Sequence, residues 1–295
     1  MKRHINSILL LVVLLVQASC INNLLDYPAT TKISADTFWE TTEDAEKGVN
    51  AVYNAMRNAF GLFYRLDCYP NADLVYFQNA NSQSITSDYW NKCYASINRA
   101  NNAIMQLRRM QSEAVTEKDL NLLKRYEGEV RFIRALHYAL MIDLYGDVQY
   151  LDHVPTQEEA YSIARTPITQ VRDFIMDDYD YAISVLPDSY ESSDDQGRAT
   201  KVAAYAFKGK LELFWACWKK NGRPEVDNFQ QSESEAKEYY EKAIGNFKEV
   251  MNPAYNLQLF KDGAPGEYVN PNYLQLFTLE NEKCSEVIFS IQYGG

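Results

Sequence analysis

The 295-residue sequence predicts a mainly α-helical fold. Three observations support this: apolar residues recur every three or four positions in six segments, capping residues begin several of these segments, and only one segment resembles a β-strand. Long helices joined by short loops favour antiparallel pairs, as in bundles and solenoids. The spacing between helix starts is not constant, and the later single helices start 32 and 36 residues apart. A tetratricopeptide repeat fits two helices into 34 residues, so any repeats here are enlarged and irregular.

Residues 1–19 have the pattern of a bacterial secretory signal. Lys2 and Arg3 precede nine apolar residues, 8–16, which as a helix would rise roughly 14 Å, too little to span a hydrocarbon core of about 30 Å. Cys20 follows two small residues as in a lipobox, so we expect its thiol to be acylated and to anchor the chain. An ordinary secreted protein with a chance cysteine is the alternative.

The rest of the chain is expected to divide into an extended tether, residues 20–40, and a helical domain, residues 41–295. The tether is polar and rich in turn-forming residues. In the domain, the third helix has the clearest apolar stripe and is expected to end at Gly146. Three helices are expected to begin at a Thr or Ser followed three positions later by an acidic residue: Thr41, Thr116 and Ser232.

A loop is predicted at residues 61–87, between a first helix ending near Gly61 and a second beginning near Ser87 or Asp88. It combines aromatic residues with amides and a carboxylate, as sugar recognition requires, because ring faces pack on C–H groups while polar side chains bind hydroxyls. Alternatively, the aromatic residues only fold back onto the helices. The candidate ligand-binding residues are Asp67, Tyr69, Asn71, Tyr76, Phe77, Asn79 and Asn81.

Proline and threonine residues mark the predicted boundaries of the later helices. Thr166 and Pro167 fit the N-cap and first position of a fourth helix that ends at Pro187. A fifth helix is expected to begin at Thr200. Prolines and glycines after residue 252 break any helix, and residues 286–293 (EVIFSIQY) have the branched and aromatic composition of a strand.

Composition and charge exclude several classes of protein. Apolar residues make up 46% and charged residues 23%, which is ordinary for a globular chain. The net charge is −11, and without the signal it becomes −13, because 27 basic residues then face 40 acidic ones. A nucleic-acid-binding surface needs the opposite balance, so we expect no such partner. The 22 tyrosines fit either helix packing or a sugar-binding loop.

The sequence contains no common catalytic or nucleotide-binding motif, and we expect neither metal nor cofactor. His137 lies in the apolar stripe of the third helix, where a hydrogen-bonded core histidine is more usual than a metal ligand or a base. Trp215 and Trp218 are expected to pack in the core rather than to form a sugar-stacking platform. His153 is expected to pair with Asp152 at the surface.

Acidic pairs and cysteines have no clear chemical role in the sequence. The pairs Asp177-Asp178 and Asp194-Asp195 are expected at the solvated surface, and nothing places them across a cleft as a glycosidase requires. Four cysteines follow the signal, and we expect buried free thiols, although the cell envelope would permit a disulfide whose pairing the spacing does not define. These cysteines are Cys68, Cys93, Cys217 and Cys284.

Several segments, in order along the mature chain, resemble the SusD/RagB-like outer-membrane lipoproteins of Bacteroidetes-type bacteria. The most distinctive is Glu129-Val130-Arg131-Phe132-Ile133-Arg134-Ala135, followed by Leu144-Tyr145-Gly146-Asp147-Val148. The other similar segments are Leu25 to Pro28, Thr37 to Ala45, Tyr94 to Asn101, Arg165 to Pro167, Asp177 to Leu186, Gly197 to Lys201 and Asn272 to Ser290. Gln149 departs from the proline that the family usually has after Gly-Asp-Val.

The resemblance implies a tetratricopeptide-like helical-pair scaffold, an α-α superhelix, with irregular loops and a strand near the C-terminal end. It implies capture of a nutrient, most often a glycan, at the cell surface by a lipid-anchored protein that delivers it to a SusC-like TonB-dependent porin. Family members usually run further, so the C-terminal half is expected to be missing. Only Cys20, as the acylated residue, carries over from the family. The motif residues Glu129, Arg131, Arg134, Gly146 and Asp147 are expected to be structural, through helix-surface charge pairing and the turn after the third helix.

Two other functions remain open at this point. One is a secreted hydrolase that acts on glycans, and the other is a tetratricopeptide-like adaptor that binds only protein.

Overall fold

The computed structural model describes residues 38–68, 83–223, 229–261 and 271–291. The chain divides into two units, residues 1–40 and 41–295. In the first unit, the rings of Phe38 and Trp39 meet edge to face with centroids 5.5 Å apart.

Helices dominate the described part of the second unit. Six are long: α1 (Thr42–Cys68), α2 (Gln83–Glu113), α3 (Glu117–Tyr145), α5 (Ile168–Val185), α6 (Lys201–Asn221) and α7 (Glu233–Val250). Two are short, α4 (Gln157–Ser162) and α8 (Pro271–Leu276). Short 3₁₀ turns occur at Ser193–Asp195, Pro253–Tyr255 and Leu279–Asn281. The predicted mainly helical fold is confirmed.

The long helices form three antiparallel pairs, α1–α2, α3–α5 and α6–α7. In α3–α5, for example, Arg134 bonds Asp178, whereas Gly128, earlier in α3, lies against Val185, later in α5. Helices α1, α3 and α6 run parallel to one another. Along α1, Tyr53 bonds Glu129 of α3 and the later Phe60 meets His137. Phe207 of α6 contacts Phe132 of α3, and Arg223, just after α6, bonds the Ile142 carbonyl further along α3. This is the arrangement of an enlarged tetratricopeptide-like superhelix, with α3 in the central position.

The α3–α5 pair is closely packed because α3 carries a glycine at the contact. A Cβ atom added at Gly128 would lie 2.5 Å from the Cγ2 atom of Val185 and 3.3 Å from the Cδ2 atom of Leu186. Gly128 itself is buried within α3. Its missing side chain therefore sets how near the two helices lie.

Four of the predicted capping residues are at the predicted helix starts. The side chains of Thr116, Thr200 and Ser232 accept hydrogen bonds from backbone N–H groups in the first turns of α3, α6 and α7. At α1, the Thr41 hydroxyl accepts from the N–H of Asp44 (3.1 Å), and the Asp44 carboxylate accepts from the N–H of Thr41 (3.0 Å). These local signals were sufficient to place four helix starts.

Both predicted boundaries of the 61–87 loop were wrong. Helix α1 continues past Gly61 to Cys68, and α2 begins at Gln83 rather than near Ser87 or Asp88. A glycine inside a helix costs only about 1 kcal/mol, which packing along the rest of a 27-residue helix outweighs. The short helices α4 and α8 were not predicted, although Pro271 fits the first position of a helix.

The predicted strand at 286–293 was also wrong over residues 286–291, which form no strand; residues 292 and 293 lie outside the described part. A strand needs a partner for its backbone groups, and this segment packs on helices instead. The Phe289 ring lies 5.1 Å from that of Phe132 and 6.0 Å from that of Phe207, centroid to centroid. In the described ranges, β pairing is limited to one bridge between Val148 and Thr166.

Trp215 packs in the core as expected, whereas Trp218 is half-buried. Trp215 is fully buried, its ring meets that of Trp218 edge to face at 5.8 Å, and the Arg172 guanidinium lies 4.5 Å from its centroid. Cys93 is buried, Cys217 and Cys284 are half-buried, and all three are free thiols. The side chain of Cys68 lies outside what the structure describes.

His137 is in the core, as predicted, but without the expected hydrogen bonds. It is fully buried, its ring lies 5.8 Å from that of Phe60, and neither ring nitrogen has a hydrogen-bond partner among the described residues. Burial lowers the pKa of His137 to about 3. By contrast, exposed His153 bonds Asp152 at 2.7 Å, which raises the pKa of His153.

The burial of His137 predicts a loss of stability in mild acid. Below pH 6.5 the unfolded chain binds a proton at His137 and the folded chain does not, down to about pH 3. The free energy of unfolding should therefore fall by up to about 1.4 kcal/mol per pH unit from this group. His137→Leu should remove this component, measured as the difference between variant and wild type in urea unfolding at several pH values.

The matched control is His153→Leu, which removes an exposed imidazole. The raised pKa of His153 acts in the opposite sense. The stability that protonated His153 contributes is fully present below pH 6.5 and is lost as the pH rises through the pKa of His153 in the folded chain. This control should keep the loss of stability in acid. An unchanged pH profile in His137→Leu would contradict the prediction.

Candidate ligand-binding cleft and the charges that build it

Four of the charged residues of helix α3 form what we call the α3 charge cluster: Glu127, Glu129, Arg131 and Arg134. We expected these motif charges to pair on the helix surface, and for Glu129 and Arg134 this was wrong. Glu129 is 0% exposed and Arg134 is 5% exposed, while Arg131 is half-buried. Glu127, which the sequence did not single out, is also buried. Buried charged side chains need opposite charges or hydrogen-bonding groups to compensate them, and each of these residues contacts such groups outside α3.

Arg134 joins three parts of the fold. Its guanidinium donates two hydrogen bonds to the Asp178 carboxylate on α5, both 2.8 Å long, and one of 2.7 Å to the Oδ1 atom of Asn101 on α2. The amide nitrogen of Asn101 in turn donates to the carbonyl oxygens of Leu151 and His153. Asp178 was expected at the surface, but it is buried, because Arg134 compensates its charge.

Glu127 makes a second connection between α2, α3 and α5. Its carboxylate accepts from Arg108 and Arg131, both at 2.9 Å, and from Gln111 at 2.8 Å. The Tyr181 hydroxyl donates to it at 3.1 Å. Burial raises the pKa of Glu127, but the Gln111 hydrogen bond and the two arginine charges outweigh burial, so that the pKa lies below its usual value.

Glu129 and Arg198 connect α3 to α1 and to the turn before α6. Arg198 donates to the Glu129 carboxylate at 3.0 Å, and the Tyr53 hydroxyl donates to the same oxygen at 3.0 Å. The Nε atom of Arg198 lies 2.7 Å from Asp195. Burial raises the pKa of Glu129, although the charges of Arg198 and Arg125 act in the opposite direction.

Gly146 and Asp147 form the turn after α3, as expected, and Asp147 has an additional role. Gly146 has φ 70° and ψ −124°, a conformation that favours glycine, and its N–H bonds the Ile142 carbonyl at 3.2 Å. The Asp147 carboxylate accepts from the N–H of Ile168 at 2.8 Å and so caps α5. The predicted N-cap at Thr166 was wrong, since α5 begins at Ile168 and Thr166 pairs with Val148 instead.

Two cavities flank the turn formed by residues 196–198. The larger, about 480 Å³, lies between α1 and this turn, and we call it the Arg198 cleft. The smaller, about 330 Å³, lies on the other side of the turn, towards residues 282–290. The residues that line the Arg198 cleft are mainly polar: Glu46, Asn50, Tyr53, Asn54, Met56, Arg57, Asp194, Gln196, Gly197, Arg198, Ser290 and Ile291.

The candidate ligand-binding residues of the sequence lie largely outside the described part of the chain. This applies to Cys20 and to Tyr69, Asn71, Tyr76, Phe77, Asn79 and Asn81. Asp67 lies in the last turn of α1, but its side chain is not described. In the described ranges, no three or more His, Cys, Asp or Glu side chains are grouped so that they could bind a metal ion. No helix in those ranges is both long and apolar enough to cross a bilayer.

Sequence reasoning missed the residues that pair with the α3 charge cluster. Asn101 stood in an apolar stripe, and Asp178 lies between the buried stripe residues Ile175 and Tyr179. Polar residues at apolar stripe positions were the available signal. Arg198 was noted only as part of the Gly197 to Lys201 segment. Asn101 and Asp178 lie 33 and 44 residues from Arg134, and Arg198 lies 69 residues from Glu129, so no local pattern connects these pairs.

Comparison with known proteins identifies relatives of this chain. Residues 24–213 match the model of a SusD-like family described as "Starch-binding associating with outer membrane". SusD-like protein P2 of Formosa agariphila is 26% identical over 192 residues, 59% of this chain and 37% of that protein. The starch-binding protein SusD of Bacteroides thetaiotaomicron is 25% identical over 194 residues, 63% of this chain and 28% of that protein.

A solved structure extends the similarity to most of the chain. The crystal structure of a SusD-like protein from Bacteroides fragilis matches with a TM-score of 0.63 at 25% identity, covering 90% of this chain and 48% of that one. The chain therefore spans less than half the length of each of these three proteins.

The Arg134–Asp178 pair predicts a large effect of one carboxylate and a small effect of its neighbour. Asp178→Asn should lower the free energy of unfolding by about 3 kcal/mol or more, because Arg134 would remain buried without a compensating charge. Asp177→Asn, one position earlier and exposed, should change it by less than about 0.5 kcal/mol. Urea unfolding at neutral pH measures both, and equal losses would contradict the assignment.

Proposed function

We propose a function from one premise: the chain belongs to the SusD-like family that is described as starch-binding and associated with the outer membrane. The matching residues, 24–213, include all of α1 to α5 and most of α6. On this premise the protein is a glycan-binding protein of the outer membrane. It captures an oligosaccharide or polysaccharide without cleaving it and delivers it to a SusC-like TonB-dependent porin.

The ligand-binding part in this proposal is the segment between α1 and α2. These helices are antiparallel, so the end of α1 and the start of α2 lie at the same end of the pair and hold both ends of residues 69–82. This segment contains Tyr69, Tyr76 and Phe77 among asparagines. Aromatic faces for sugar C–H groups and amides for hydroxyls suit an uncharged glycan, as does the net negative charge of the chain, which disfavours anions.

The anchor in this proposal is Cys20, acylated after removal of residues 1–19. One acyl chain alone holds a protein weakly, so stable attachment requires the further acyl groups of a lipoprotein N-terminus. The tether of residues 20–40 then separates the helical domain from the membrane. The family's association with the outer membrane supports this placement.

A hydrolase is the less favoured alternative. The two acidic pairs that the sequence offered each contribute one carboxylate to an ion pair, since Asp178 bonds Arg134 and Asp195 bonds Arg198. A general acid needs a carboxyl group that can exchange protons with substrate. The observation that favours binding over catalysis is the match to a starch-binding family.

The loop proposal predicts a loss of affinity without a loss of stability. The triple variant Tyr69→Ala, Tyr76→Ala, Phe77→Ala should weaken glycan binding at least about tenfold, because stacking surface is lost. Isothermal titration with maltoheptaose and laminariheptaose measures the effect. Tyr161→Ala, which removes a highly exposed tyrosine of α4, is the control and should bind as wild type does. Equal affinity of triple variant and wild type would exclude the loop as the site.

The anchor proposal predicts a change of location. Cys20→Ala should move the protein from the membrane fraction to the soluble fraction and abolish labelling by radioactive palmitate. Cys217→Ala, which replaces a half-buried free thiol in the helical domain, should stay in the membrane and remain labelled. A Cys20→Ala protein that sediments with the membrane would contradict lipid anchoring.

A further inference from the structure

We propose that the Arg198 cleft is a binding subsite for a neutral polyhydroxyl ligand, a sugar ring, separate from the segment between α1 and α2. The choice of a sugar rests on the proposed function, whereas the preference for a neutral, hydroxyl-rich ligand rests on the cleft itself. Asn54, at its centre on α1, lies 14 residues before the end of that helix, roughly 21 Å along the axis. A glycan that contacts both places would extend along α1.

One face of α1 supplies a polar wall to the cleft. Glu46, Asn50, Asn54 and Arg57 follow one another at spacings of four, four and three residues, so they lie on the same side of the helix. Gln196 and Asp194 face them from the turn before α6, and Met56 and Ile291 add apolar surface. The volume of about 480 Å³ is within the range of small-ligand clefts.

Charges of both signs line the cleft. Glu46 and Asp194 contribute two carboxylates, and Arg57 and Arg198 contribute two guanidinium groups. An anion would meet the carboxylates, and a cation would meet the arginines, so neither finds a surface of uniformly opposite charge. A neutral ligand with many hydroxyls gains hydrogen bonds from both kinds of group.

Arg198 fixes two of these side chains in place. Its Nη2 atom donates to the Oε1 atom of Glu46 at 2.8 Å and to the Oδ1 atom of Asn50 at 2.9 Å. Arg198 is itself held by buried Glu129, so the arrangement is set before any ligand arrives. Preorganised groups bind with less entropic cost than mobile ones.

These bonds leave complementary groups available. In the part of the chain that the structure describes, the second oxygen of Glu46 and the amide nitrogen of Asn50 have no hydrogen-bond partner. An acceptor beside a donor matches two neighbouring hydroxyls of a sugar, one donating to the carboxylate and the other accepting from the amide. The side chains of Asn54 and Gln196, also without partners among the described residues, add two further amides.

The double variant Asn54→Ala, Gln196→Ala tests the cleft, since neither side chain supports the fold. It should weaken maltoheptaose binding at least about fivefold in isothermal titration, because two hydrogen bonds are lost. Asn58→Ala, an exposed asparagine of α1 that does not line the cleft, is the matched control and should bind as wild type does. Asn54→Trp, which fills the cleft, should weaken binding at least as much as the double variant, whereas Asn58→Trp should not. Wild-type affinity in both cleft variants would overturn the subsite.

A second measurement separates failure of the subsite from failure of the proposed function. In nitrogen-edited NMR spectra of the wild-type chain, methyl α-glucoside should shift the side-chain amide signals of Asn54 and Gln196. No shift at either residue would overturn the subsite, even where maltoheptaose binds elsewhere on the protein. If both residues shift but the chain binds no oligosaccharide or polysaccharide, the subsite is supported and the proposed function is overturned.

Discussion

The burial of charge along α3 is the constraint on which the rest of the structure depends. Glu127, Glu129 and Arg134 lie inside the protein, and an uncompensated charge there would cost several kcal/mol. Each is compensated by a different set of neighbours: Glu127 and Arg134 reach α2 and α5, and Glu129 reaches α1 and the turn before α6. Apolar stripes alone would let paired helices slide by one turn at little cost. Ion pairs with fixed geometry remove that freedom, which is the best-attested use of buried charge.

The sequence predicted what is locally encoded. Apolar spacing identified the six long helices, and the caps at Thr41, Thr116, Thr200 and Ser232 were correct because a cap involves residues only three positions apart. The errors have long-range causes. Asp147 caps α5 from 21 residues away, and the predicted strand packs its Phe289 between two helices instead of pairing with another strand. Charged motif residues were assigned to the surface because most charged side chains are exposed. Glu129 and Arg134 are exceptions because they pair with residues that are distant in the sequence.

The family motifs and the proposed ligand contacts fall in different parts of this chain. The segments that resemble the family contain Glu129, Arg134, Asp147 and Arg198, and in the structure these side chains fix the register of helices and the start of α5. They therefore specify the scaffold. The side chains of the candidate ligand-binding residues, 67–81, lie outside what the structure describes, and chemical character was the only guide to them. This division explains why the sequence identified a family with more precision than it identified a ligand.

Arg198 contributes both to the helical scaffold and to the Arg198 cleft, so ligand binding in the cleft is linked to folding. One guanidinium connects buried Glu129 of α3 to Glu46 and Asn50 at the edge of the cleft. A ligand that binds Glu46 and Asn50 therefore binds groups whose positions exist only when α1, α3 and the turn before α6 are docked. Such a ligand binds the folded chain and not the unfolded one, and so stabilises the α1–α3 contact by mass action. Occupancy of the cleft and folding of the scaffold are then linked equilibria, because the same ion pair that orders the helices also orients the binding groups.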